Sequence, residues 1–431
     1  MSSDTSNTAP LALSQRRDWA ADQSISFLMQ QGLENRDVIS LAAGFVDETT
    51  LPVELVRDAM QAILDDQKLG QTALQYAATA GDPQLRELFI QHLARLERCD
   101  VQSLGITSDQ LVVTSGSQQF LHHLSDLLFD PGDICLVAAP TYFVFLGTLN
   151  GVGARTIAVE SDQDGMKMDA LEEQLRLIEQ AGELDRVKLI YLVSSFENPS
   201  GTTLAESRRQ QVVEIAKRWS KQHRILILED AAYRELRYSG EDPTSIWGFD
   251  IGHEHVVLAQ TFSKSFSPGI RMAYGVIPRD LIQPMQDVKG NFDFGSPSIS
   301  QQILVQTLQT EFYAAHVLKL QTAYAAKRDA MLTAADKYFS DIPGCSWLQP
   351  SGGLYVWMSV PDEVDTGYSG ELFRCATKEH KVMYVPGSIS YPPGSSLQRH
   401  NEMRLSFGVE SPETIDEGMR RLSVALKTVI G

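Results

Sequence analysis

The chain has 431 residues, of which 43% are hydrophobic and 21% charged, with a formal net charge of -18. This length exceeds one small core and implies two or three domains, or one large domain with appendages. The negative charge disfavours non-specific nucleic-acid binding, because a surface that repels phosphate forfeits counterion release.

The polar start, Met1 to Arg17, places its arginines after its short apolar piece, the reverse of the order in a secretory signal, so residues 1 to about 15 read as a flexible arm. No apolar run approaches the roughly 20 residues that span a membrane. Cys99, Cys135, Cys345 and Cys375 are far apart and form no metal-ligand or disulfide pattern, which suits free thiols in a reducing cytoplasm.

From about residue 107 to 300, short apolar runs alternate with helical patterns, the signature of a parallel sheet covered by helices. Strands are predicted at 110–115, 133–139, 187–194, 224–230 and 255–261. Between them lie helical stretches such as 207–222, whose Val212, Val213, Ile215, Ala216 and Trp219 share one face. A long helical region, about 298–338, follows. The pattern then changes to short strands in "GGLYVWMSV", "VMYVPGS" and "MRLSFG" and a final helix from about 411. The predicted fold class is α/β, a mostly parallel sheet covered by helices, with a smaller α+β domain packed against it.

Ligand groups gather where the strands of such a sheet end. Asn198, Asp230 and Lys264 follow three successive predicted strands at spacings of 32 and 34 residues, each one strand-helix-strand unit. Asp230 can pair with a protonated ring nitrogen, and Asn198 and Tyr233 can reach a ring oxygen. Taken singly, a strand-end aspartate is also a turn former and Asn-Pro a loop opener.

In "TFSKSFSPGIRMAYG", Thr261, Ser263 and Arg271 surround Lys264 with groups that hold a phosphate. A lysine there can form a Schiff base with a phosphorylated aldehyde, or can equally be a solvated lysine on a surface turn. In "TSGSQQFLHHLSDLLF", a turn at Gly116 leads into a helix whose first N–H groups, at Ser117 and Gln118, can meet an anion; the serine is equally an ordinary helix cap. Tyr142, after the next strand, can stack on a flat ligand or fill core. Arg404 lies inside an apolar strand and needs an anion, either a bound carboxylate held by its planar fork or a structural salt-bridge partner.

The patterns "LQYAATAGDPQLRELF", "TSGSQQ", "PTYF", "FENPSGTTL", "EDAAYRELRY", "TFSKSFSPGIRMAYG", "GGLYVWM" and "RLSFG" run in one order from about residue 40 to the C-terminus. Together they resemble the fold-type I pyridoxal-phosphate enzymes, specifically the class I/II aminotransferases, and look closest to the aminoadipate and kynurenine aminotransferase branch. The resemblance implies that Lys264 is the Schiff-base lysine and proton carrier, that Asp230 holds the pyridine nitrogen, and that Tyr233 and Asn198 contact the ring hydroxyl. It implies that Tyr142 stacks on the ring, that Ser117, Gln118, Thr261, Ser263 and Arg271 bind the phosphate, and that Arg404, with Asn198 and Gly44 beside it, binds the substrate α-carboxylate.

It further implies a homodimer in which Tyr76 crosses to the neighbouring subunit's phosphate. The cysteines suit a cytoplasmic protein, and the net charge and the lack of a spanning apolar run argue against a nucleic-acid or membrane partner. The expected organisation is an N-terminal arm (1–40), a segment joining the small domain and substrate site (41–60), a large cofactor-binding domain (61–315) and a C-terminal small domain (316–431). The expected reaction is transamination of an L-amino acid to its 2-oxo acid, with 2-oxoglutarate or pyruvate as acceptor. Lyase, decarboxylase or cyclase chemistry on the same cofactor is the alternative, and a non-catalytic cofactor sensor a remoter one.

Three stretches depart from the family pattern. "LAAGFVDETTLP" lacks the usual Gly-x-Pro near Gly44, "EDAAY" replaces Asp-Asp-Pro-Tyr, and "FENPSG" carries Glu197 and Ser200 where Gln and Thr are common. The donor side chain stays open. Tyr142, Phe143, Phe292, Phe294 and Tyr355 permit an aromatic or extended aliphatic group, although such residues are more often core, and Arg16, Arg17 and Arg237 are candidates for a second carboxylate.

Overall fold

The structure is a computed structural model, described here for residues 11–19 and 37–431. The expected N-terminal arm therefore falls for the most part outside the described residues; its short helix Arg16–Trp19 is within them.

After β1 (Ile39–Ser40), eight strands build one large sheet: β2 (Leu111–Thr114), β3 (Ile134–Ala139), β4 (Arg155–Asp162), β5 (Gly165–Met166), β6 (Val187–Val193), β7 (Leu226–Asp230), β8 (Val256–Thr261) and β9 (Ala273–Val276). Their order across the sheet is β2-β9-β8-β7-β6-β3-β4-β5. Strands β4, β3, β6, β7 and β8 are mutually parallel, whereas β9 is antiparallel to both β8 and β2. β5 turns back against β4 at the edge.

The continuous apolar runs of the central strands follow from burial on both faces. In β3, Ile134, Leu136 and Ala138 enter one apolar layer with Leu88, Leu175 and Val212, while Cys135 and Val137 enter the opposite layer with Leu121, Leu149 and Tyr324. The strand period of two thus sends alternate residues to helices on either side.

The C-terminal part is built on β10 (Ser346–Trp347), β11 (Tyr355–Ser359), β12 (Val382–Met383), β13 (Val385–Pro386) and β14 (Glu402–Ser406). Four of these form an antiparallel sheet in the order β10-β11-β14-β13. The remaining strand, β12, pairs in parallel with β1, which ties residues 39–40 to the C-terminal part. The helices Phe312–Phe339 and Pro412–Ile430 pack beside it.

The five predicted strands of the large sheet are present, with ends shifted by up to two residues. β4, β5 and β9 were not predicted, since β4 has a mostly half-exposed pattern and the other two have only two and four residues. The single helical region expected at 298–338 is two helices, Ser298–Leu308 and Phe312–Phe339. At the break, the Thr310 hydroxyl donates to the Thr307 carbonyl at 2.8 Å, a local bond that competes with helix continuation.

Candidate active site

The unpredicted strand β9 organises one end of the site. Its first residue, Ala273, pairs with Thr114 of β2 on one side and with Thr261 of β8 on the other. Two loops distant in sequence, 115–117 and 262–264, therefore emerge side by side, and Arg271, two residues before β9, stands between them. Its guanidinium donates to the Ser263 hydroxyl at 3.4 Å and to the Ser115 carbonyl at 3.5 Å. The Thr261 hydroxyl donates to Ser263 Oγ at 3.1 Å.

Gly116 has φ +80°, and a Cβ there would stand 2.3 Å from Arg271 Nη2, so the arginine lies in space that only glycine leaves open. The helix Ser117–Leu128 starts directly after it with no side-chain cap, which leaves its first N–H groups to meet an anion. The Gln118 side chain turns away and donates to Thr148 Oγ1 at 2.8 Å, so of this residue only the main chain faces the cradle.

The parallel strands supply the middle of the site. Val193 pairs with Asp230 and Asp230 with Ala259, so β6, β7 and β8 end on one edge and deliver Asn198, Asp230, Tyr233 and Lys264 there. Asp230 is only 4% exposed. It accepts from the Tyr191 hydroxyl at 3.0 Å and from the Ala232 N–H at 3.2 Å. Burial nevertheless pushes its carboxyl up to about 6 against those two bonds, and among the described residues no ion pair reaches it. Lys264 Nζ donates to the Gly44 carbonyl at 2.7 Å. Burial, with Arg404 and Arg271 nearby, holds this ammonium below its ordinary range, opposed by Tyr355. Tyr142, at the start of the helix Phe143–Gly151, has its phenol pushed up by burial, with Asp230 and Tyr355 adding to the effect.

The C-terminal sheet supplies the third wall. Arg404 of β14 is 3% exposed and lies between Trp357 of β11 and Val385 of β13. Its guanidinium donates to Asn198 Oδ1 at 2.9 Å and to the Ala42 carbonyl at 2.7 Å, and it lies 4.4 Å above the Tyr355 ring. A Cβ on Gly44 would stand 3.0 Å from the Tyr355 hydroxyl and 4.0 Å from Arg404, so the main chain at Gly44 lines the same space.

Tyr76 is not part of this cluster within one chain. It is 86% exposed, with its ring 6.3 Å from that of Phe294. The three candidate arginines are already paired: Arg16 with Asp126 at 3.6 Å, Arg17 with Asp18 at 3.2 Å and Arg237 with Asp242 at 3.1 Å. Arg16 borders a cavity of about 1080 Å³ that adjoins the site through Gln118 and Phe143 and is also lined by Trp19, Leu146 and Ile389. Lys264 does not line it.

Two residues of the site escaped sequence reasoning. Tyr191 is the one hydroxyl in the apolar run of β6, and that was its available signal. Tyr355 was named only for its aromatic ring, whereas its hydroxyl lies 3.2 Å from that of Tyr233.

The residues fit pyridoxal phosphate. A hydroxyl, arginine and helix-terminus cradle suits the phosphate, and Asp230 is a buried carboxylate in want of a cation such as a protonated ring nitrogen. Lys264 is an amine depressed toward the reactive neutral form. The chain belongs to the aminotransferase class I and II family, whose model matches residues 36–422. It is a pyridoxal-phosphate-dependent enzyme that transaminates an L-amino acid to its 2-oxo acid.

The aromatic-amino-acid aminotransferase 1 of Thermococcus litoralis is 33% identical over 395 residues, 92% of this chain and 89% of that one. The 2-aminoadipate transaminase of Thermus thermophilus is 30% identical over 397 residues, 91% of each. The crystal structure of Pyrococcus horikoshii kynurenine aminotransferase, in complex with PMP, superposes with a TM-score of 0.87 at 31% identity, covering 97% of this chain and 98% of that one. Among the described residues, no helix is long and apolar enough to cross a membrane.

Proposed function

We propose that the donor is an L-amino acid with an aromatic or extended side chain and that the acceptor is 2-oxoglutarate or pyruvate. The observation that carries the reading is the Arg404 fork, buried beside Asn198 and stacked on Tyr355; the Phe143 ring, 5.9 Å from that guanidinium, also borders the adjoining cavity, whose lining mixes apolar and polar residues. Relatives named for aromatic amino acids, aminoadipate and kynurenine support the same range.

Bound in this site, pyridoxal phosphate supplies an aldehyde for the substrate's amino group and an electron-withdrawing ring for the charge released at Cα. Ser117, the Gln118 main chain, Thr261, Ser263 and Arg271 hold the phosphate. Asp230 would keep the ring nitrogen protonated, Asn198 and Tyr233 would hydrogen-bond the ring oxygen, and Tyr142 would pack against the ring. Arg404 takes the α-carboxylate and so fixes which way the Cα–H bond points. Lys264 Nζ, the neutral amine favoured by its surroundings, takes the α-proton and returns it.

We further propose a cytoplasmic homodimer, with residues 41–60 contributing to the small domain and 61–315 forming the cofactor-binding one. Exposed Leu74, Tyr76, Phe292 and Phe294 give an apolar face suited to a second copy, through which Tyr76 reaches the partner's phosphate site. Light scattering of the purified chain tests this; a monomer at micromolar concentration rejects it.

The reaction is tested by following the visible absorbance of the holoenzyme as single amino acids are added, with parallel assays for 2-oxo acid and ammonia. An absorbance change with stoichiometric 2-oxo acid and no ammonia is expected, followed by ping-pong kinetics once an acceptor is supplied. Ammonia release would replace this reading with an elimination.

A further inference from the structure

Tyr233 and Tyr355 form a pair of phenols at the centre of the site. Tyr233 follows β7 and Tyr355 opens β11, 122 residues later; both are buried, their oxygens are 3.2 Å apart and their rings meet edge to face at 78°. In the register of β11 and β14, Trp357 faces Arg404 and Tyr355 faces Ser406, so Tyr355 is the diagonal neighbour of Arg404 on one face of the sheet. This is why its ring carries the Arg404 guanidinium at 4.4 Å. A phenylalanine at this position would keep the stacking and lose only the oxygen.

Each phenol has one proton to donate. In the arrangement found here, the two hydroxyls satisfy one another. When Tyr233 gives its proton to a cofactor ring oxygen, Tyr355 can remain bonded to it only by donating in turn. We infer that Tyr355 is a positioning residue that acts through Tyr233: its proton must be in place for Tyr233 to face the ring oxygen, so that cofactor binding is linked to protonation of Tyr355. This rests on the proposed role of Tyr233.

The charged and titratable groups around the Tyr355 hydroxyl support the linkage. Arg404 faces it from β14, Lys264 from the turn after β8, Tyr233 from the turn after β7 and Tyr142 from the start of the helix Phe143–Gly151; the segment at Gly44 contributes main chain. Burial opposes ionisation of Tyr355, but Arg404, Lys264 and the bond from Tyr233 outweigh it and hold the phenol below its ordinary range. Tyr233 is pushed the other way, by burial first and then by Tyr355. Tyr355 is thus the phenol of the pair that loses its proton first. Once it has done so, binding the cofactor requires taking up one proton from solvent.

The test uses the full chain freed of cofactor, with pyridoxamine phosphate as probe because it meets the same groups without bonding to Lys264. Near-ultraviolet titration of the wild type is expected to show a tyrosinate step below the ordinary tyrosine value of about 10, and Tyr355→Phe to lack it. Above that step the wild type's Kd for pyridoxamine phosphate weakens by up to about 10-fold per pH unit, whereas that of Tyr355→Phe stays level.

Tyr233→Phe serves as a second variant: it keeps Tyr355 but removes the bond, and the step moves up toward the ordinary value. A step that persists in Tyr355→Phe, or a Kd profile identical in both proteins, overturns the inference. If Tyr355→Phe does not fold, an unmoved step in Tyr233→Phe overturns it. If the wild type does not bind the probe at all, the cofactor reading fails, and the near-ultraviolet step alone decides whether the two phenols are linked.

Discussion

Arg404 donates to Asn198 Oδ1 at 2.9 Å across 206 residues of sequence, joining the C-terminal sheet to the strand-end loop of the large one. The residue proposed for the substrate carboxylate and a residue proposed for the cofactor ring are therefore one hydrogen-bonded unit. Replacing Arg404 by Lys keeps the charge but loses the planar fork that spans Asn198 and the Ala42 carbonyl. The KM for both the amino acid and the oxo acid is expected to rise by roughly 10- to 100-fold, the range for one charge-assisted bond, with a smaller change in kcat. Initial-rate kinetics with both substrates varied checks it; an unchanged KM would assign the carboxylate elsewhere.

Lys264→Ala is expected to abolish turnover while retaining some cofactor through the phosphate cradle. The bound cofactor should then be removable by dialysis and absorb as the free aldehyde does. Retained transamination in this variant would sink the assignment of Lys264.

Gly116→Ala tests the cradle. The backbone there, at φ +80° and ψ 159°, is a region that only glycine occupies readily, and the added Cβ meets Arg271. A loss of roughly 1–3 kcal/mol in stability is expected from the backbone. Cofactor affinity should fall further as Arg271 is displaced, measured as the thermal shift on adding pyridoxal phosphate. An equal shift in variant and wild type would separate Arg271 from phosphate binding.

Asp230 predicts an unusual pH dependence for the cofactor-free protein. Its folded value of about 6 lies above the unfolded value of 3.8, so the native state holds the proton more tightly. Stability on this account is greatest below pH 3.8, falls as pH rises through the window to about 6, and is level above it. The loss is on the order of 3 kcal/mol. Asp230→Asn should flatten that part of the melting-temperature profile while impairing catalysis. Pyridoxal phosphate should stabilise the wild type more at pH 7.5 than at pH 5, because its ring cation then meets an ionised partner.

Glu197 behaves in the same sense over a wider window. It is 3% exposed, accepts from Ser200 Oγ at 2.9 Å, and leaves its other oxygen without a partner; burial pushes it up to about 8 against an unfolded value of 4.5. Its contribution to stability therefore declines from pH 4.5 to about 8. Glu197→Gln should melt higher than wild type at pH 8 and near wild type at pH 4.5. A difference independent of pH would point to the packing of the loop instead of its charge.

Much of this was legible in the chain itself. The spacing of Asn198, Asp230 and Lys264 placed them on one sheet edge because parallel strands joined by helices repeat at nearly fixed length and all end on the same side. The central strands were legible because burial on both faces makes their sequence continuously apolar. The ordered motifs from Leu74 to Gly408 pointed to the family, since each is a local chemical need written in consecutive residues.

What adjacent residues do not encode is which distant strands become neighbours. β9 has four residues and no pattern of its own, yet its insertion between β8 and β2 sets Arg271 against Gly116 and Ser263. The Gln118 side chain was free in sequence to face a phosphate and is taken instead by Thr148. The meeting of Tyr233 with Tyr355, and of Arg404 with Asn198, depends on how the C-terminal sheet packs against the strand ends. Sequence by itself determined the cofactor's chemical needs and the parallel scaffold, because these follow from residue type and period. Tertiary structure alone decided which hydroxyl, carbonyl and guanidinium groups share the buried space, because that depends on contacts between segments separated by 30 residues, as for Gln118 and Thr148, to 206, as for Asn198 and Arg404.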